Sequence, residues 1–334
     1  MCDEMNSIFS ARIKRLMVVI AFCFALLTAA LIAVIVLHSP VQPLVTPDVP
    51  VATSSVELRV KAVERKAEPM AQAAVADASA AVAIVCGADE ASAVRYEARS
   101  AALRSIARRR DLPRSDVDAL SGYLRSSDDN MREERVAALK NDVMNLLRNQ
   151  EPQPDGFAET LAGMFESGDH PPAVLDYCIQ HLGAMLDGLD DAMRIRVRDV
   201  LSRSAKRTNM PYAGTALYSL AEDSRATNAQ NAELKRLTLA LCKSGVNAAA
   251  RIAAIQLAGE LGYTEALPVL HDTLSGVRRD AVLDIVCIGS IGLVGTEHDL
   301  PLLDRFAADS RRAPAVNAAI ERINKRKAGQ DVSK

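Results

Sequence analysis

Tryptophan is absent from this chain of 334 residues, and aromatic residues make up only 4% of it. Strand-rich folds and sugar-binding surfaces lean on aromatic and β-branched side chains, so the shortage favours helix packed on helix. It also removes the stacking platforms on which single-stranded nucleic acid is held. An excess of either charge is missing as well: the formal net charge is −2 and the pI is near 6.3. Taken whole, the chain has no electrostatic pull toward nucleic acid or acidic membrane surfaces, and no nucleic-acid partner is expected.

Signatures of chemistry are missing too. No GxxxxGK[ST] loop, GxSxG elbow or HExxH pair occurs. Gly289, Gly292 and Gly295 in GSIGLVG follow no strand and do not fit GxGxxG, so they read as helix-ending glycines. There are five histidines, and the six cysteines contain no CxxC spacing, which disfavours zinc. No catalytic residue, cofactor or metal is therefore expected. Cys86, Cys178, Cys242 and Cys287 read as free, buried, apolar-like thiols, with a Cys242–Cys287 bridge as the alternative in an oxidising compartment.

What is present begins with one long apolar run. Residues 16–37, LMVVIAFCFALLTAALIAVIVL, carry no charge, Gly or Pro, which is enough to span the roughly 30 Å of a bilayer core. Arg12, Lys14 and Arg15 precede the run, and no Lys or Arg follows it until Arg59. The positive-inside rule then puts residues 1–15 in the cytoplasm and the rest of the chain outside, periplasmic in a bacterium. A cleaved signal peptide is the competing reading, but the run continues through Val34–Leu37 and His38-Ser39-Pro40 makes a poor cleavage site. Ala21, Ala25, Ala29 and Ala33 form a small-residue stripe on this segment, a face through which two copies can associate.

Residues 38–92 hold Pro40, Pro43, Pro47, Pro50 and Pro69 and then an alanine-rich stretch without clear faces, and read as a linker. From residue 93 to 327 the chain becomes a succession of short amphipathic helices, predicted at 93–109, 114–126, 132–149, 155–167, 172–187, 190–206, 212–222, 229–243, 247–261, 264–275, 278–293, 297–308 and 313–326. The apolar stripe Val174, Leu175, Cys178, Ile179, Leu182, Met185 and Leu186 shows the period. Breakers such as Glu151-Pro152-Gln153-Pro154 and Gly168-Asp169-His170-Pro171-Pro172 separate them. Short loops between helices of this length are the arithmetic of antiparallel pairs, an all-α architecture. Residues 328–334 read as a disordered tail.

Between residues 250 and 303 one helix–turn–helix pattern is written twice, as ARIAAIQLAGELGYTEALPVL and VRRDAVLDIVCIGSIGLVGTEHDLPLL. Gly262 and Gly292 read as ends of matching helices, and Pro268 and Pro301 as openings of the next ones. A single such pair cannot bury its apolar face alone, so it must stack on neighbours. The first-helix pattern Ala250-Arg251…Ala254…Gly259…Gly262, the start Val277-Arg278…Ala281, and the second-helix openings Glu265–Leu270 and His298–Leu303 resemble the HEAT family, in particular its phycobilisome-lyase-like variety. The resemblance covers about residues 245–326. It implies a right-handed α-solenoid of stacked antiparallel helix pairs, with second helices lining the concave face. Aligning the arginines gives a repeat of 27 residues, the glycines 30 and the prolines 33, so the register stays open at this point.

Two groups of side chains are candidates for contact with a partner. His271 and Asp272 fall on one second helix, with Asp304 and Arg305 at matching places on the next. The resemblance turns these toward a concave surface; the plainer account is a solvated face with charges paired across repeats. Arg194, Arg198, Arg203 and Arg207 crowd a helix that also carries Arg196 and Lys206, and Arg104, Arg108, Arg109, Arg110 and Arg114 make a second basic cluster. The expected function is a membrane-anchored, extracytoplasmic, non-catalytic scaffold for another envelope protein. The alternative is an enzyme accessory or a binder of a small ligand or metal, related to lyase-type repeats and centred on His271, Asp272 and Asp304. A charge at Ile255 or Leu303 is expected to unfold its repeat.

Overall fold

Proline, glycine and short polar caps cut the chain into helices of about three to four turns. Pro172, Pro268 and Pro301 each sit in a first turn, where a missing N–H costs nothing. Asp190, Asn247 and Asp280 accept backbone N–H groups at three helix starts, and Thr227 forms a reciprocal capping box with Gln230. Gly168 and Gly262 follow helix ends with φ of 72° and 71°, left-handed conformations that a side chain disfavours.

The computed structural model describes residues 78–87, 96–127, 131–277 and 280–331. The apolar run 16–37, the tail 1–15, most of the segment 38–92 and residues 332–334 lie outside the described residues. The described helices all belong to one unit, Glu68–Lys334. They are α1 (Ala78–Val85), α2 (Tyr96–Ile106), α3 (Arg114–Arg125), α4 (Glu133–Arg148), α5 (Phe157–Ser167), α6 (Pro172–Met185) and α7 (Asp191–Ala205). There follow α8 (Tyr212–Ala221), α9 (Asn228–Leu241), α10 (Ala248–Glu260), α11 (Leu267–Ser275), α12 (Ala281–Val294), α13 (Leu300–Asp304) and α14 (Ala313–Asp331). No strand occurs among the described residues, so this region is all-α, and no described helix is long and apolar enough to cross a membrane.

The helices stack in two rows. Even-numbered helices pack consecutively from α2 through α14, each against the next even one. Odd-numbered helices pack on one another from α1 to α7. Beyond α7, the odd row opens, and α9, α11 and α13 lean on the even row instead. This is the layout of a helical repeat, with a core running along the seam through Leu120, Leu147, Leu182, Leu217, Ile255 and Ile291, all fully buried. Ile255 and Leu303, read as core positions, have no exposure.

Two boundaries move. Residues 78–85, assigned to the linker, form α1, whose Ala78, Ala81, Val82 and Val85 are buried against α2 and α3. Alanine on three sides of a two-turn helix gives no contrast between faces, which hid it. At the other end α14 continues to Asp331, into the stretch read as a tail.

The register is settled by packing. Gly259 of α10 lies against Ser290 of α12, and Gly292 of α12 lies against Ala319 of α14, where an added Cβ would come 2.7 Å from Ala319 Cα. Gly259 and Gly292 are therefore equivalent, a spacing of 33 residues that matches Pro268 and Pro301. Gly292 does not end its helix: the residue matching Gly262 is Gly295, which caps α12. Asp284 stands where Arg251 stands one repeat earlier, so the 27-residue alignment of Arg251 with Arg278 fails. Arg278 itself lies outside the described residues.

Buried or partly buried cations also close several helix ends. Arg99 Nε donates to Val85 O at 2.7 Å, Lys140 Nζ to Leu124 O at 2.8 Å, and Arg251 Nε to Cys242 O at 2.9 Å. Arg326 reaches Gly292 O and Gly295 O, both at 2.7 Å. Each satisfies orphan carbonyls at the negative end of a helix dipole.

Candidate interaction surface

The basic helix α7 divides its arginines between interior and surface. Helical spacing puts residues 194 and 198 one turn apart on the face that meets α8. Both are buried there on one carboxylate: Arg194 Nη2 lies 2.6 Å from Asp223 Oδ2, and Arg198 Nη1 bonds the same oxygen. Asp223 has no side-chain exposure and also accepts from the Arg225 N–H. Burial alone would push its carboxyl up. The hydrogen bonds from Arg194, Arg198 and the Arg225 amide outweigh that and hold it below the usual carboxylate range.

Arg203 is on the exposed side, 3.0 Å from Glu166 of α5, which also takes Arg196 at 2.8 Å. The hydrogen bond from Arg196 is the main reason Glu166 titrates below the ordinary range. Arg207 bonds Tyr212 Oη at 3.2 Å and stacks 4.9 Å from the Phe165 ring centre. Of the four arginines singled out on this segment, two are thus interior and two are tied to neighbouring helices.

The other candidates fall on the opened half of the odd row. His271 Nε2 lies 2.7 Å from Asp299 Oδ1, the first residue of α13's cap, while Asp272, Asp304 and Arg305 are exposed. Ion pairs also join the segments from α5 onward: Glu166 to Arg196, Glu233 to Lys206 at 3.3 Å, Glu265 to Lys235 at 2.5 Å, and Asp299 to His271. Of the four candidates here, His271 makes such a tie, and Asp272, Asp304 and Arg305 face solvent. In the second basic cluster, Arg110 pairs with Glu151, and Arg104 donates to Ser100.

Where the odd row opens, recesses form. One, of about 740 Å³, is bounded by Lys243, Arg251, Val269, Asp272, Thr273 and Leu283 among others. Val277, 99% exposed, is part of its lining, and Val282, next to the lining residue Leu283, is 58% exposed. A smaller one of about 180 Å³ lies between α7 and α9, lined by Arg198, Ser202, Lys206 and Glu233 over Leu234 and Leu237. Neither Asp223 nor Glu233 was singled out from the sequence. Their only signal is an acid spaced about one repeat from the crowded arginines.

Among the described residues no group of three or more His, Cys, Asp or Glu is placed to hold a metal ion. His181, buried in α6, has Nε2 3.3 Å from Asn141 Oδ1, and burial lowers its pKa to about 4. Cys86, Cys178, Cys242 and Cys287 are free thiols. Burial pushes the last three to about 12 and Cys86 to about 11.

No protein-family model matches the sequence, and no curated protein sequence matches it. Among solved structures, the human deoxyhypusine hydroxylase in complex with glycerol is similar at 15% identity, over 74% of this chain and 97% of that one, with a TM-score of 0.30.

Proposed function

We propose that this protein is a non-catalytic scaffold that is anchored by residues 16–37 and holds another envelope protein on an extracytoplasmic, right-handed, HEAT-like solenoid. The observation that carries this reading is the opening of the odd row beyond α7. Stacked repeats normally bury such surface against the next helix. Here it lines recesses instead; Val277 is left in solvent in one of them, and Val282, adjacent in sequence to its lining residue Leu283, is exposed as well. Exposed apolar groups gathered at a concavity mark protein contact more often than they occur by chance. The apolar run and the charge asymmetry around it support the anchor and its orientation.

In-cell cross-linking and pull-down of the full chain through a C-terminal tag tests it. The expected result is one dominant envelope partner, lost in a Val277→Asp, Val282→Asp double variant or on charge reversal at Asp304 and Arg305. Recovery of the protein alone overturns the scaffold reading and directs attention to self-association through the Ala21–Ala33 stripe. Orientation is read separately, by placing a cysteine at exposed Ala308 and labelling intact cells with an impermeant maleimide. Labelling only after lysis overturns the assigned topology.

A further inference from the structure

α7 and α9 are the first odd-row neighbours whose backbones are not closely packed. Side chains bridge the gap: Ser202 Oγ donates to Glu233 at 2.8 Å, and Lys206 Nζ lies 3.3 Å from the same carboxylate. Beside this bridge is the cleft of about 180 Å³, with Leu220, Leu234 and Leu237 as its apolar floor. Arg198 forms part of its lining although only 8% of the residue is exposed.

Arg198 is under-used where it stands. Its one partner among the described residues is Asp223, reached through Nη1. Arg194 already bonds both oxygens of that carboxylate, at 2.8 and 2.6 Å. Two guanidinium ions therefore share a single buried negative charge, and Arg198 keeps N–H donors to spare at the base of a cleft whose rim carries Lys206, Asp199 and Glu233. A guanidinium carries five N–H donors in a planar fork. The Nε and Nη2 groups of Arg198 have no protein acceptor among the described residues, yet they are not sealed from solvent, unlike Arg194 Nε. The cleft that Arg198 lines is the way in. Half-used donors on a charge in a low-dielectric recess are a strong pull for an anionic acceptor.

We propose that this cleft receives the carboxylate side chain of a glutamate or aspartate from a protein partner. The lining selects among anions. Asp199 and Glu233 stand beside Arg198, and two negative neighbours repel a phosphate dianion more than a carboxylate. The leucine floor covers the methylenes of an acidic side chain and offers nothing to a free inorganic anion. This inference rests on the scaffold reading and supplies the chemistry of the partner.

The test uses the full chain in lipid nanodiscs, with a fluorescent glutamate-rich peptide, its glutamine counterpart, acetate and inorganic phosphate as probes. The glutamate peptide is expected to bind and to be displaced by acetate at lower concentration than by phosphate, and the glutamine peptide is expected not to bind. Arg198→Gln is expected to weaken binding at least tenfold. Because that variant disturbs a buried pair, Ser202→Tyr, which fills the cleft while leaving Arg198 on Asp223 and Lys206 on Glu233, is expected to do the same, with circular dichroism and melting confirming that it stays folded. Equal binding of the glutamine peptide, stronger displacement by phosphate, or an undiminished Ser202→Tyr variant overturns the inference. The two readings separate in cells. If a partner is captured equally by wild type and Ser202→Tyr, the cleft is not its receptor and the scaffold stands. If no partner is captured while the peptide binds at the cleft, the scaffold reading falls and the carboxylate site remains.

Discussion

Gly259 of α10 faces Ser290 of α12 so closely that a Cβ on the glycine would lie 3.0 Å from both Cα and Cβ of the serine, whose Oγ donates to Ile255 O at 2.9 Å. The same close approach recurs along the even row, at Gly183 with Ser219, at Gly214 with Ala253 and at Gly292 with Ala319. A small residue at each crossing lets successive even helices touch through their backbones. Gly259→Ala is expected to destabilise the domain by about 1–3 kcal/mol, since the contact is to backbone as well as side chain. Gly163 in α5 has nothing within 4 Å of an added Cβ, so Gly163→Ala is expected to stabilise by about 0.5–1 kcal/mol. Chemical denaturation of both variants checks the pair of opposite signs.

Asp223→Asn leaves two buried guanidiniums facing a neutral amide. The expected loss is about 3–5 kcal/mol, the range for breaking a buried ion pair from one side. In the wild type the depressed carboxyl contributes stability that is complete above its unfolded value of about 3.9 and is lost as pH falls through the lower folded value. Melting temperature against pH is thus expected to drop below about pH 4, with a shallower drop in the variant.

His181 works in a higher window. Its ring is kept neutral by burial first and by Arg148 second, with a folded pKa of about 4. The unfolded chain takes up a proton near pH 6.5, and the folded one does not until about pH 4. Stability from this group is complete above pH 6.5 and is lost on acidification across that interval, on the order of 3 kcal/mol. His170, half-buried and lowered chiefly by desolvation, adds to the slope with the same sign. A His181→Phe variant is expected to lose most of the slope between pH 6.5 and 4, measured by urea denaturation at several pH values.

The four described thiols are expected to be nearly inert in the folded protein, because the thiolate is the reactive form and burial holds their pKa values at about 11 to 12. Peptide-level alkylation at pH 8 is expected to mark Cys86 slowly, since it is only half-buried. Cys178, Cys242 and Cys287 are expected to react only after unfolding. A recovered Cys242–Cys287 disulfide, or fast labelling of any of the three, contradicts the packing described here. The same chemistry makes native Cys86 a poor reporter of membrane topology.

The helices were legible because apolar period and breakers act locally. Asp190, Thr227, Asn247 and Asp280 cap where a sequence reading places starts, and Pro172, Pro268 and Pro301 open the helices they were expected to open. α1 was not legible, since alanine serves a core and a linker equally well. The candidate site was legible only as charge. Spacing put Arg194 and Arg198 on one face, but nothing in the sequence tells a face turned to solvent from one turned onto Asp223.

By itself the sequence determined that the chain from about residue 96 is a run of capped, amphipathic helices, because each start, stop and apolar stripe depends on residues within a few turns of one another. The partners of those helices were decided by the tertiary structure. The 33-residue register, the glycine crossings of the even row, the opening of the odd row at α7 and the sharing of Asp223 by two arginines all join residues about 25 to 40 positions apart. Such pairings follow from which surfaces fit closely enough to exclude water, and shape at that range is a property of the packed chain alone.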